Sequence, residues 1–170
     1  MVDDRAGSAE HLENEAVVLY GDILRLTDSV GGRAEQLIRE ASGLGGSEFD
    51  VLLRLARHPD GRTTSARLAE DLVFTSGGLT RLIARMEEVG LLARHPHPGD
   101  RRAVLLEPTA QGHEALRRAL EAHVPQITAA LFDPLTTVER LILRELVTKL
   151  LAHSPRGLVR DNAHPNGEHQ

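Results

Sequence analysis

The stretch RHPHPGDRRAVLLEPTAQG, residues 94–112, constrains the fold of this chain more than any other part of its sequence. The residues on both sides of it have the apolar spacing of helices, whereas the stretch itself contains two His-Pro pairs, a Pro-Gly-Asp turn and two adjacent arginines. The segments LLARHP and RAVLLE have the character of short strands around the tip HPGD. The sequence therefore predicts a β-hairpin with a charged tip between two helices.

Two helices are predicted at the start of the chain. Apolar residues at helical spacing indicate a first helix from about His11, which continues through the pair Gly31-Gly32 and ends at the SGLGGS segment. Ser47 and Asp50 have the spacing of a capping box at the start of the second helix. The turn HPDGR ends this second helix.

The next two helices are short and close together. The segment SARLAEDL, capped by Ser65, forms the third helix. The segment TSGGLTRLIARMEEVG, capped by Thr75 or Ser76 and closed by Gly90, forms the fourth. Two short helices that meet across about three residues have the spacing of a helix-turn-helix motif.

Two further helices follow the hairpin. Thr109 caps a fifth helix that extends to about Leu131 and that Pro125 should kink or split. Thr136 and Glu139 form a capping box for the sixth helix. The sixth helix carries a continuous apolar stripe, made by Val138, Leu141, Ile142, Leu146, Leu150 and Leu151. The predicted fold class is therefore mainly α with a small β-wing.

The fourth helix is amphipathic, and its polar face suits the major groove of DNA. At 100° per residue, one face holds Leu79, Leu82, Ile83 and Met86, and the other holds Thr80, Arg81, Ala84 and Arg85. Arginine side chains can reach guanine edges or phosphates, and small residues near a helix N-terminus permit close approach to the DNA backbone. The alternative is an ordinary amphipathic helix with a solvated face.

The hairpin after this helix is interpreted as the wing of a winged helix. An arginine at its tip would meet the concentrated negative potential of a narrow minor groove, and Asp100 would orient the wing by holding a guanidinium. Residues 62–102 contain seven arginines against five acids, which is the local basic footprint that DNA binding needs. The predicted DNA contacts are Ser65, Thr75, Ser76, Gly77, Gly78, Thr80, Arg81, Arg85, His97, Arg101 and Arg102.

The composition excludes several other classes of protein. The 170 residues include no cysteine, so disulfides and thiolate metal sites are ruled out, and the net charge of −5 gives no general affinity for nucleic acid. No apolar run approaches the length of a membrane span, and the acidic N-terminus lacks the form of a signal peptide, so a cytoplasmic protein is expected. Neither a phosphate-binding loop nor a nucleophile motif indicates an enzyme, and no cofactor is expected.

The sequence resembles the MarR family of winged-helix transcriptional regulators over roughly residues 12–153. The strongest part is RLAEDLVFTSGGLTRLIARMEEVGLLARHPHPGDRRAVLLEPTAQG, in which Asp100, Arg102, Thr109 and Gly112 match the wing pattern of the family. Pro108 stands where a leucine is usual, and Ala103 stands where serine or threonine is frequent.

The resemblance implies a homodimer built by the first, fifth and sixth helices, and three long striped helices are also more than one small lobe can cover. A two-fold dimer would place two recognition helices in successive major grooves of a pseudo-palindromic operator. The expected organisation is a disordered N-terminus (1–9), a dimerisation helix (10–46), a winged helix-turn-helix lobe (47–108), dimerisation helices (109–154) and a disordered tail (155–170).

The chain is most similar to the urate- and aconitate-responsive, PecS-like branch of the family, which implies regulation by a small anionic or phenolic effector. Asp50 and Arg94 match ligand positions of that branch, and Arg81 is a further match. The chain has no tryptophan, although urate-responsive members supply one from the first helix. A forked guanidinium can clamp a carboxylate or enolate, whereas Asp50 as a helix cap and Arg94 as a surface residue are the structural alternatives.

Two other functions stay open at this point. The nine histidines permit a zinc- or pH-responsive regulator of the same fold, although none has the i, i+4 spacing of a helical zinc site, and we predict no metal ligand. A helical dimerisation module that binds only protein would leave the arginine-tipped wing unexplained.

Overall fold

The computed structural model describes residues 14–72 and 76–153, with the backbone alone for Asp71, Ser76, Arg101 and Arg102. The elements are α1 Glu15–Ser42, α2 Gly46–Arg57, β1 Thr63–Thr64, α3 Ser65–Asp71, α4 Ser76–Glu88, β2 Leu92–His97, β3 Asp100–Pro108, α5 Ala110–Ile127, a π-helical turn Thr128–Phe132 and α6 Thr137–His153. The prediction of a mainly helical chain with a small β-wing is confirmed. The two terminal segments predicted to be disordered lie outside the described residues.

One apolar core holds the winged lobe together. Side chains from α2, α3, α4, the sheet and α5 meet in it, and Leu52, Leu55, Leu68, Met86 and Leu106 are completely buried. Burying a leucine or methionine side chain contributes about 1.5–3 kcal/mol. The core therefore fixes α3 and α4 against α2, and it fixes the hairpin against both.

The starts of α1 and α2 differ from those predicted. The first described helix begins at Glu15, because the side chain of Asn14 accepts a hydrogen bond from the backbone N–H of Ala16 at 2.9 Å. The capping box of Ser47 with Asp50 is wrong. The N-cap of α2 is Gly45, whose backbone N–H donates to Glu48 Oε2 at 2.8 Å. Glycine has no side chain, so only the glutamate half of a capping box exists here.

Caps around the wing follow the sequence more closely. Thr64, rather than Ser65, caps α3, because its hydroxyl accepts from the N–H of Arg67 at 3.2 Å. The predicted cap of α5 is confirmed: the Thr109 hydroxyl accepts from the N–H of Gly112 at 3.0 Å and donates to the carbonyl of Gly90. Gly90 has a φ of 76°, in the left-handed region that favours glycine after a helix.

The sheet has three antiparallel strands in the order β1-β3-β2. The predicted hairpin is confirmed, with Leu92 opposite Pro108 at its base and the residues Pro98 and Gly99 in its turn. The register shifts between Pro96 and His97, so β3 has extra residues near the tip. The short strand β1 was not predicted, and it adds an edge that ties the loop before α3 to the wing.

The two ends of the described chain leave apolar surface uncovered. The second half of α1 packs on α5, where Ala34 and Ile38 are buried. Helix α5 continues past Pro125, ends at Ile127 and gives way to the π-helical turn. None of residues 137–153 is buried, although the predicted capping box of α6 is present, with Glu139 Oε2 accepting from the N–H of Thr136 at 2.8 Å.

Candidate nucleic-acid interface

Helix α4 presents the polar face that its sequence predicts. Leu79, Leu82, Ile83 and Met86 are all buried in the core, whereas Thr80, Arg81, Ala84 and Arg85 are all exposed. The apolar face fixes which side of the helix points outward, because rotating the helix would expose four large side chains. The surface left outside carries small residues, a hydroxyl and two guanidinium groups.

The first turn of α4 is open enough for a DNA backbone to approach. Gly77 is exposed, and a Cβ atom built there would lie 4.0 Å from Arg81 Nη2. The guanidinium of Arg81 therefore lies beside the first turn, and the N-terminal end of a helix attracts anions. The predicted cap Thr75 lies outside the described residues.

The other arginine of this face, Arg85, has an internal partner. Its Nη2 donates to Glu48 Oε1 at 2.6 Å, and the Glu48 side chain is only 13 % exposed. The Arg85 side chain is 63 % exposed, so part of its guanidinium still faces solvent. Sequence analysis missed Glu48, although glutamate at the third position of a helix is a common capping residue.

The tip of the wing lies at the surface. Pro98, Gly99 and Asp100 are exposed, and the backbone N–H of Gly99 donates to His97 Nδ1 at 3.1 Å. This bond leaves the Nε2 of His97 as the protonated nitrogen of the neutral ring. The backbone of Arg101 and Arg102 follows in β3 within the irregular part of the hairpin. Their roles, and the wing-orienting role of Asp100, stay predictions.

The three predicted ligand residues have separate surroundings in the described chain. Partial burial raises the pKa of the Asp50 carboxyl, and the charge of nearby Arg54 on the same helix opposes that rise. Arg94 Nε donates to Glu87 Oε2 at 2.7 Å. Of the three, Arg81 alone lines the cleft between α2 and α4. The ligand roles of Asp50, Arg94 and Arg81 all stay predictions.

This cleft, of about 450 Å³, separates the start of α2 from α4. It is lined by Ser47, Gly78, Arg81, Leu82 and Arg85. Two guanidinium groups and one hydroxyl line this open groove. Its positive charge suits a small anion bound beside the exposed face of α4.

Two other kinds of site are absent from the described part of the chain. Within residues 14–72 and 76–153, no three His, Cys, Asp or Glu side chains form a possible metal site. No helix in the same residues is long and apolar enough to cross a membrane. His123 lies edge-to-face on Phe49 with ring centroids 5.6 Å apart, and burial lowers the pKa of His123.

Comparison with known proteins places this geometry among transcriptional regulators. The model of the MarR family matches residues 42–103, the segment that contains the helix-turn-helix and most of the wing. A helix-turn-helix transcriptional regulator of Bacillus cereus is 30 % identical over 134 residues, which are 79 % of this chain and 87 % of that protein. The regulator PecS of Dickeya dadantii is 28 % identical over 143 residues, 84 % of this chain and 85 % of PecS.

Solved structures have the same fold. The MarR family regulator Sco3205 of Streptomyces coelicolor, in complex with DNA, superimposes with a TM-score of 0.75 at 24 % identity, over 87 % of this chain and 97 % of that one. The organohalide-sensing regulator RdhR, bound to 2,4-dichlorophenol, gives a TM-score of 0.69 at 21 % identity, over 91 % of this chain and 86 % of RdhR.

A helix-turn-helix whose second helix buries one face in the core, followed by a hairpin with an exposed tip, defines a winged-helix protein. The similarity to regulators over most of their length then gives the family. This chain belongs to the MarR family of DNA-binding transcription regulators, as the resemblance of its wing motif implied.

Proposed function

We propose that this chain is a homodimeric repressor that binds a pseudo-palindromic operator and leaves it when a small anionic or phenolic effector binds. The observation that carries the proposal is the combination of two surfaces on one chain. A recognition helix and a wing tip are exposed on the lobe, and long apolar stripes are uncovered on the terminal helices.

The dimer is supported by the amount of apolar side chain that one chain leaves in water. On α6 the exposed fractions run from 39 % to 71 % for eight residues: Val138, Leu141, Ile142, Leu143, Leu146, Val147, Leu150 and Leu151. Six more on the first half of α1 are 47–57 % exposed: Val17, Val18, Leu19, Tyr20, Ile23 and Leu26. A soluble monomer rarely exposes a contiguous apolar patch of this kind, so a second copy is the natural cover.

The DNA geometry follows from the dimer. Two-fold symmetry would set two α4 helices about 34–36 Å apart, so that each enters a successive major groove. Arg81 and the small first turn of α4 would contact the groove and its phosphates, and Arg101 and Arg102 of each wing would contact the neighbouring minor groove. The remaining proposed contacts come from Ser65, Thr75, Ser76, Gly77, Gly78, Thr80, Arg85 and His97.

Replacing Arg102 by alanine tests the wing. We expect the Kd for a duplex that the wild-type protein selects from a random library to rise about tenfold. The slope of log Kd against log salt should fall by about two, one for each protomer, because each wing loses one phosphate or groove contact. Fluorescence anisotropy across a salt series measures both quantities.

A matched control keeps the charge change and moves it away from the DNA. Arg117 on α5 is held by Glu114 and Glu121, so Arg117→Ala removes one guanidinium outside the proposed interface. Its Kd and salt slope should equal those of the wild type. If Arg102→Ala binds as tightly as Arg117→Ala, the wing does not contact DNA.

The cleft between α2 and α4 is the best-supported effector site. Arg81 and Arg85 supply positive charge and forked donors, and Ser47 supplies a hydroxyl. A bound anion would lie against the same arginines of α4 that would contact the operator. It would lower DNA affinity because it would engage Arg81 and Arg85, which are also proposed DNA contacts, so effector and DNA would oppose each other. Release of the operator would then relieve repression.

Thermal unfolding without DNA tests the effector site. We expect at least one of urate, aconitate and 2,4-dichlorophenol to raise the Tm with increasing concentration, because a ligand of the folded state stabilises it. The shift should vanish in Arg81→Ala. A shift that Arg81→Ala retains but that Asp50→Ala or Arg94→Ala abolishes would move the effector to those two residues instead.

A further inference from the structure

The carboxylate of Glu48 makes two contacts that join different parts of the lobe. Its Oε2 accepts the N–H of Gly45 at 2.8 Å, and its Oε1 accepts from Arg85 Nη2 at 2.6 Å. The first contact is local and caps α2. The second spans 37 positions of the sequence and reaches the recognition helix.

The second contact joins an exposed guanidinium to a carboxylate that is largely buried. Exposed pairs between flexible side chains contribute little, because solvent screens them and both side chains lose freedom. Glu48 is only 13 % exposed, and its capping bond already fixes its carboxylate. Arg85 therefore meets an acceptor that is held in place before the pair forms, and charge-assisted bonds of this length are directional.

The recognition helix needs such a directional contact. Leu79, Ile83 and Met86 bind α4 to the core, but apolar burial has no preferred direction and tolerates small rotations. A rotation of α4 about its axis would move Arg81 relative to the bases of the groove. The Glu48–Arg85 pair lies one helical turn from Arg81 and opposes that rotation.

We propose that Glu48 is a positioning residue of the DNA interface, which sets the rotation of the recognition helix through Arg85. This inference rests on the proposed sequence-specific binding of operator DNA. It also gives Arg85 an internal role as the link to α2, in addition to any contact that its exposed edge makes.

The direction in which one substitution changes DNA affinity separates positioning from a general electrostatic effect. Glu48→Gln keeps a side-chain oxygen for the Gly45 cap but removes the negative charge that holds Arg85. If Glu48 acted only as a charge near DNA, its neutralisation would strengthen binding to every duplex. If it positions α4, binding to the selected duplex weakens while binding to a shuffled duplex does not.

The experiment measures the Kd of each variant for two duplexes. The first is selected by the wild-type protein from a random library, and the second is a shuffled sequence of equal composition. The specificity ratio is the Kd for the shuffled duplex divided by the Kd for the selected duplex. We expect Glu48→Gln to lower this ratio about tenfold, the usual effect of losing one charge-assisted bond. Arg85→Met should lower the same ratio, and the double variant should lose no more than Arg85→Met alone.

Two controls accompany the measurement. Glu121→Gln removes an equal charge from an exposed pair with Arg117 on α5 and should leave the ratio unchanged. Thermal unfolding of each variant identifies a temperature at which all of them are folded. Arg85→Met breaks the pair without changing the α2 cap, so it controls for any weakening of that cap by Glu48→Gln.

Three outcomes overturn the inference. If Glu48→Gln has the same ratio as the wild type, Glu48 does not position α4. The inference also fails if Glu48→Gln lowers the ratio as much in the Arg85→Met variant as it does in the wild type. A wild-type protein that selects no duplex contradicts the proposed function as well, so the two failures are distinguishable.

Discussion

Gly112→Ala is expected to lower the free energy of unfolding by about 3 kcal/mol, a large part of the roughly 5–15 kcal/mol that stabilises a typical domain. A Cβ atom at this position would lie 2.2 Å from the carbonyl oxygen of Leu91 and 3.3 Å from Leu52 Cδ2. The carbonyl cannot withdraw freely, because it accepts the N–H of Thr109 at 3.1 Å. The first turn of α5 would have to leave the hairpin base, and the core would open there.

Gly31→Ala is the matched control for that experiment. Gly31 also lies inside a helix, but nothing lies within 4 Å of a Cβ built there. The same substitution should therefore raise the free energy of unfolding by about 0.5–1 kcal/mol, the usual gain from alanine in a helix. Urea unfolding followed by circular dichroism measures both changes. Equal stability of Gly112→Ala and the wild type would contradict the close contact with Leu91.

The double substitution Ile142→Glu, Leu146→Glu is expected to give a monomer that has lost at least about 100-fold in affinity for the selected duplex. Both side chains are half exposed and lie one turn apart on the stripe of α6. In the proposed dimer they are covered, so two carboxylates there would be buried without partners. Each chain would then bind alone and lose the gain that comes from linking two lobes.

Sedimentation gives the oligomeric state of this variant, and anisotropy gives its DNA affinity. Val89→Glu places a carboxylate on a half-exposed apolar residue that lies outside α6, and it should leave the oligomeric state unchanged. The fold of the lobe should be retained in the double variant, because no residue of α6 belongs to its core. A double variant that remains dimeric would place the interface elsewhere.

The sequence predicts those features of the fold that repeat locally. The buried and exposed faces of α4 were predicted correctly because apolar spacing reports which side of a helix meets the core. The hairpin was predicted because its Pro-Gly turn is flanked by short apolar runs. Thr109 and Gly90 were identified for a similar reason, since a cap hydroxyl and a glycine after a helix have local signatures.

The errors arise where two local signals compete or where contacts are distant. Ser47 with Asp50 has the spacing of a capping box, but the chain begins α2 at Gly46 and uses Glu48. The two-residue strand β1 is too short to carry a pattern. The Glu48–Arg85 pair and the cleft beside it join segments far apart in sequence, so only the tertiary fold reveals them.

Gly112 is a motif position at which the structure explains the need for glycine. The sequence identifies it as one residue of the wing pattern, without saying why glycine is needed. The structure supplies the reason, because the helix that begins at Ala110 meets the backbone of Leu91 with no room for a side chain. The same contact joins the wing base to the helix that leads toward the proposed dimer interface.

The most direct test of the account is the number of chains on one selected duplex. Native mass spectrometry of the wild-type complex, or sedimentation with labelled DNA, measures this stoichiometry. We predict two chains for each duplex, with an affinity that falls steeply as salt rises and a selected sequence with two inverted half-sites. One chain for each duplex, or a selected sequence without inverted repeats, would contradict the proposal that paired recognition helices read the operator.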